Sequence, residues 1–126
     1  MRFAKWVFLA SGIYGILAIT PLYFMESRYS ADNPPAITHP EFFYGFAGVA
    51  LAWQVMFLVI GSDPIRYRIA MLPAVLEKAS FLAAAIVLFQ LGRTSGTILG
   101  LGIVDGAWGA LFIASFVLTA KSDPST

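Results

Sequence analysis

Read as a sequence, this chain is an all-α integral membrane protein: a four-helix bundle forming one transmembrane domain, with antiparallel neighbours and both termini cytoplasmic. Three observations carry that reading. Of the 126 residues, 59% are hydrophobic and 12% charged, about half the charged share of a soluble domain. Four apolar stretches each supply the roughly 20 helical residues needed to cross a hydrocarbon core. Basic residues are unevenly placed: Arg2, Lys5, Arg66, Arg68 and Lys121 flank one side, Arg28 and Arg93 the other, and the richer side is the one held in the cytoplasm. A bilayer admits helices or closed barrels, and this chain is too short for the eight or more strands of a barrel.

The elements follow in order. The first span is expected over about 5–24. Arg2 and Lys5 before an apolar run resemble a signal peptide, but the run is too long for an h-region and Tyr29-Ser30-Ala31 is a poor cleavage site, so it reads as a retained helix. Residues 26–41 form the one long connection; their polar, Pro-rich character predicts an extended or turn-like outer loop. The second span covers about 42–60 and ends at the Gly61-Ser62-Asp63-Pro64 turn. The third, about 67–91, contains Pro73, whose missing N–H frees the carbonyl of Ile69 and predicts either a kink before Glu77 or a locally satisfied backbone. After the Gly92-Arg93-Thr94-Ser95-Gly96 turn, the fourth runs over about 97–119. Tyr23, Phe24, Phe42, Phe43 and Tyr44 read as an outer aromatic belt, and Trp6 and Tyr67 as its inner counterpart.

Composition also bounds the function. A net charge of +1 gives no basic excess for nucleic acid, and no nucleic-acid partner is expected. With no Cys and one His, thiol catalysis, disulfides and Cys-based zinc sites are excluded, and neither metal nor cofactor is expected. His39 stands in the outer loop beside Glu41 and reads as solvated. No internal repeat of the kind that builds inverted-repeat transporters is visible.

What stands out is Glu77-Lys78 in the third span and Asp105 in the fourth. A charge at the bilayer centre costs roughly 2.5–3.5 kcal/mol on insertion scales, so such groups face a bundle interior or a wet cavity. At 1.5 Å per residue, Glu77 lies about 15 Å from the inner end of its helix, Tyr14 about 14 Å, Gln54 about 10 Å and Asp105 about 21 Å. The first three are expected in one layer. Glu77 shares a stripe with Ala70, Pro73, Ala74, Ser80 and Ala84, small residues that predict a close helix contact and carry Glu77 inward. Lys78, about 100° away, is long enough to snorkel or to neutralise Glu77 or Asp105. Asp105 shares its stripe with Leu101, Gly102, Trp108, Gly109 and Phe112 and is also expected inward; Gly96-x-x-x-Gly100 and Gly102-x-x-x-Gly106 offer close-packing surfaces. Glu77, Lys78, Asp105, Gln54, Tyr14, Trp53 and Trp108 are therefore the candidate ligand-binding residues. The competing reading is interhelical glue and core packing.

The segment from Phe43-Tyr44-Gly45-Phe46 to Trp53-Gln54, the Asp63-Pro64-Ile65-Arg66-Tyr67-Arg68 turn and the following Leu76-Glu77-Lys78 resemble small four-helix bacterial membrane proteins of the uncharacterised, loosely DoxX-like kind. That resemblance implies an inner-membrane helical bundle and no established active site. A more distant likeness is to the four-helix sterol-isomerase and sigma-2-receptor group, whose buried acids serve apolar amine or sterol ligands. Two functions are expected from these observations. One is binding of a small apolar or lipid-like molecule, or service as an accessory subunit of a membrane complex, with membrane lipids and a homo-oligomer or larger complex as partners. The other is an enzyme acting on a lipid, quinone or sterol-like substrate, with Glu77 giving or taking a proton and Asp105 or Lys78 tuning it.

Overall fold

A computed structural model of the chain describes residues 2–122. Its α-helices are α1 (Arg2–Ile19), α2 (Glu26–Asp32), α3 (Pro40–Ser62), α4 (Met71–Gln90) and α5 (Gly96–Ser122), and short 3₁₀ turns follow α1 and precede α4. No strand occurs among the described residues. With their 3₁₀ extensions, four helices are long and apolar enough to cross a membrane: Arg2–Phe24, Pro40–Ser62, Arg68–Gln90 and Gly96–Lys121. Their outward faces carry large apolar side chains, with Leu17, Phe24, Phe42 and Ile69 all more than two-thirds exposed. That surface suits hydrocarbon as its solvent, since water-soluble chains rarely expose apolar patches on this scale.

Local chemistry sets the helix ends. Pro40 opens α3, where its lost N–H is not needed, and Glu41 meets the positive helix terminus. After α3, Asp63 Oδ1 accepts the Arg66 N–H at 3.2 Å and closes the turn. The end of α4 is a Schellman motif: Gly92 adopts φ +70°, its N–H reaches Phe89 O at 3.0 Å, and the Arg93 N–H reaches Leu88 O at 2.8 Å. Ser95 caps α5 by accepting the Ile98 N–H at 3.3 Å.

One expectation about the connections is corrected, and the alternative left open at Pro73 is decided. The segment expected to be extended begins with a helix, α2, because Pro34, Pro35 and Pro40 all follow it while 26–32 holds neither Pro nor Gly. Arg28 and Asp32 pair one turn apart at 3.7 Å, and the Tyr44 hydroxyl donates to Glu26 Oε2 at 2.9 Å, tying α2 to the start of α3. Pro73 falls in the first turn of α4 rather than within a continuous helix; the preceding 3₁₀ turn absorbs the change and no mid-helix kink is required.

Packing is uneven. The pairs α1/α3 and α4/α5 are in close register along their lengths, α1 joins α5 less extensively, and α3 meets α4 only marginally. Glycines permit the two close pairs: Gly12 and Gly15 receive Leu58 and Gln54, Gly61 receives Leu9, and Gly102 and Gly106 receive Ala85 and Leu82. Gly96 and Gly100, by contrast, meet nothing within 4 Å, so that small-residue pair is not used inside the chain. The core lies toward the end of the bundle that holds the start of α1 and the end of α5. There Phe8 stacks on Phe112 at 4.2 Å and 13°, and Phe57 meets Phe112 edge-on at 4.9 Å, surrounded by Ala4, Val7, Ile60, Met71 and Ala74.

Arg68 closes that end. Its guanidinium donates to Phe116 O at 2.8 and 3.0 Å and to Thr119 Oγ1 at 3.1 Å, and lies 3.7 Å over the Phe116 ring. A side chain otherwise suited to a lipid headgroup thus pins the start of α4 to the end of α5. Arg68→Ala is expected to lower stability by about 2 kcal/mol, the worth of hydrogen bonds from a charged donor, and Arg68→Lys to recover less than half because it lacks the fork. Reversible unfolding in mixed micelles measures both; an alanine variant as stable as the parent would remove Arg68 from the fold's support.

Candidate functional site

The marginal contact between α3 and α4 leaves a lateral cleft of about 900 Å³. One wall is Phe42, Gly45, Phe46, Val49, Ala50 and Trp53; the other is Pro73, Leu76, Glu77, Ser80, Phe81 and Ala84. Both sets have spacing i, i+3, i+4, i+7, i+8, i+11, a single helix face each. Phe46 and Phe81 face one another across it at 6.3 Å. Because α3 and α4 are antiparallel, the cleft runs from the end bearing Phe42 and Ala84 to the floor formed by Trp53 and Pro73, above the aromatic core.

Behind the α4 wall lies the charge cluster. Lys78 is 3% exposed, 3.4 Å from Asp105 Oδ1 and 3.8 Å from Glu77 Oε2. Its ammonium also stands 5.1 Å from the Phe57 ring, and its Cβ packs against Gly109. Lys78 was expected to pair with Glu77 or with Asp105, and it stands within ion-pair distance of both. The expected orientation is not found: Lys78 does not snorkel, and the buried stripe of α4 is Met71, Ala74, Lys78 and Ala85. Pro73, Ser80 and Ala84 are exposed and line the cleft with Glu77. The small-residue stripe thus divides: Ala74 is buried in the core with Ala70 packed against it, while Pro73, Ser80 and Ala84 form an open wall, because the glycines of α5 at 102, 106 and 109 draw the neighbouring face of α4 onto them.

Glu77 thus connects the two regions. Its side chain is 19% exposed, on the cleft it lines, while Oε2 is buried without a hydrogen-bond donor. Ser80 does not supply one, since its hydroxyl donates to the Glu77 backbone carbonyl at 2.9 Å. Asp105 is also 19% exposed and accepts from Lys78.

The remaining candidates divide between other places. Trp53 is on the cleft and tilts over Phe57 at 6.3 Å. Gln54 is buried against Gly15, donating to Ala50 O at 2.9 Å with its Oε1 unsatisfied. Tyr14 and Trp108 pair at 5.9 Å across α1 and α5, and Trp108 lines a second apolar groove of about 470 Å³ with Arg2, Phe3, Trp6, Val7 and Ala10. His39 is exposed on the loop, 3.5 Å from Glu41. Sequence reasoning missed Phe46, Phe81 and the glycine at 45, although their helical spacing with Trp53 and Glu77 was readable. It also missed Ser11, whose buried hydroxyl has no partner.

Chemically, the site offers a long apolar wall, one accessible carboxyl near mid-span and a lysine withdrawn behind it. No group of three His, Cys or acidic side chains suited to a metal occurs among the described residues. The chain matches no protein-family model, no curated protein and no solved structure.

Proposed function

We propose that this is a multi-pass protein of the cell's inner membrane, of the loosely DoxX-like type and with both termini cytoplasmic, that binds a small apolar or lipid-like molecule in the α3/α4 cleft. The observation that carries the reading is an apolar cleft with one partly exposed carboxyl, Glu77, on its wall. Ligand sites have this composition, with mostly apolar walls for affinity and few polar groups for orientation. A helix pair meant only to pack would close over its small residues, as α4 and α5 do.

Gly45 gives a selective test. A side chain added there meets nothing within 4 Å, yet the residue lines the cleft. Gly45→Leu is expected to fold normally and to lose about tenfold or more of its bound lipid-like molecule, measured by native mass spectrometry of protein released from its membrane. Gly100→Leu, equally unobstructed but off the cleft, should retain it. Equal retention in both variants would contradict the site.

The enzyme reading draws on the same carboxyl: Glu77 borders the cleft with Lys78 and Asp105 behind it, an arrangement suited to giving or taking a proton from a lipid, quinone or sterol-like substrate. It requires turnover that disappears in a folded Glu77→Gln protein.

A further inference from the structure

We infer that the molecule taken into the α3/α4 cleft is a neutral amphiphile with a hydroxyl that donates a hydrogen bond to the Glu77 carboxylate. This rests on the cleft being a binding site, and adds what the site selects.

Depth is the first ground. Glu77 lies nine residues after Arg68 and thirteen before Gln90 in the Arg68–Gln90 span, about 14 Å from one end and about 20 Å from the other. A phospholipid keeps its headgroup at a span end, so only its tails would pass the carboxyl. The polar group that meets Glu77 must be small enough to be carried to mid-membrane.

Polar capacity is the second. Among the polar side chains lining the cleft, Ser80 has its hydroxyl proton committed to the Glu77 backbone carbonyl, Trp53 carries an indole N–H at the floor, and Glu77 Oε2 is buried without a hydrogen-bond donor, 3.8 Å from the Lys78 ammonium, which leaves Oε1 as the oxygen for a ligand in the cleft. At the Glu77 carboxylate the unused capacity is that of an acceptor, so the group that meets it is a donor.

Charge is the third. A carboxylate or phosphate on the ligand would face Glu77 with no free cation, because Lys78 is buried and turned toward Asp105. An ammonium on the ligand would share Glu77 with the Lys78 ammonium already 3.8 Å away, placing like charges together in a medium that screens them poorly. A hydroxyl meets neither obstacle. It supplies a donor to a charged acceptor, a stronger bond than one between neutral partners.

The test uses the full chain in phosphatidylcholine nanodiscs and a photoactivatable derivative of cetyl alcohol, displaced by cetyl alcohol, methyl cetyl ether, cetylamine or a methyl ketone of equal chain length. Cetyl alcohol is expected to displace the probe about tenfold better than the ether, ketone or amine, the advantage of one hydrogen bond to a charged group. In Glu77→Leu, which leaves Lys78 paired with Asp105, alcohol and ether should compete alike. Ether, ketone or amine equal to or better than the alcohol in the parent protein, or an alcohol preference that survives in Glu77→Leu, overturns the inference while leaving the cleft as a site. Labelling that is not saturable, or that is as strong in Gly45→Leu as in the parent, overturns the cleft reading and the inference with it.

Discussion

Replacing Lys78 with methionine is expected to destabilise the protein by about 3–5 kcal/mol, the largest single effect in the chain, because removing one partner of a buried ionic cluster leaves the others uncompensated. Methionine fills similar space among Gly109, Phe57 and the α4/α5 seam, so the loss is one of charge rather than of volume. Glu77 and Asp105 would then share the site without the ammonium that stands 3.8 and 3.4 Å from them. The same substitution made together with Glu77→Gln and Asp105→Asn is expected to regain most of the loss, since a neutral set carries no unpaired charge. Steric-trap or mixed-micelle unfolding in one lipid composition measures all three proteins. A single Lys78→Met variant within experimental error of the parent would show that the cluster does not hold α4 to α5.

The second large effect is expected at Gly102. A Cβ placed there would stand 2.6 Å from Ala85 Cβ, with the Leu82 Cα and Phe81 carbonyl close behind. None of these is the free end of a flexible side chain, so the helices themselves must move apart. Gly102→Leu should cost on the order of 3 kcal/mol, at the upper end for overpacking a close contact. Separation of α4 from α5 would also stretch the Lys78–Asp105 contact, so the effects of Gly102→Leu and Lys78→Met should be less than additive. Gly100→Leu on the same helix meets nothing within 4 Å and provides the comparison. If both glycines tolerate leucine equally, close approach of α4 and α5 is not what fixes this pair.

These two positions show what was readable in the sequence and what was not. The four spans were readable because apolar length is a one-dimensional property; their observed limits differ from expectation by a few residues at most. The meeting of Lys78 with Asp105 was readable too, since charges in hydrocarbon must find partners. The rotation of α4 was not. Pro73, Ser80 and Ala84 look like part of one packing stripe with the buried Ala74, and small size alone does not say which of them a helix covers. Two of the glycines facing α4, at 102 and 106, were recognisable as a motif, but Gly96 and Gly100 have the same spacing and stand open. Choosing between them requires knowing the pairing of helices, which depends on all four at once. The helix at 26–32 is hard to see in the sequence for a simpler reason: the connection is Pro-rich as a whole, whereas each proline restricts only its own position and the residue before it.

The charge cluster also separates two roles that sequence position alone had joined. Lys78 and Asp105 belong to the seam between α4 and α5. Glu77 belongs to the seam on one side and to the cleft on the other, and for that reason the loss of its charge should alter binding more than stability, with Lys78 still paired to Asp105.

The most direct measurement is to map where a photoactivatable long-chain alcohol attaches to the protein in nanodiscs, by peptide mass spectrometry after irradiation. The cleft account predicts saturable labels concentrated in 42–53 and 73–84, competed by unlabelled alcohol and absent from Gly45→Leu. Labels spread evenly over the outward faces of all four spans, or concentrated in the α1/α5 groove around Trp6 and Trp108, would contradict it.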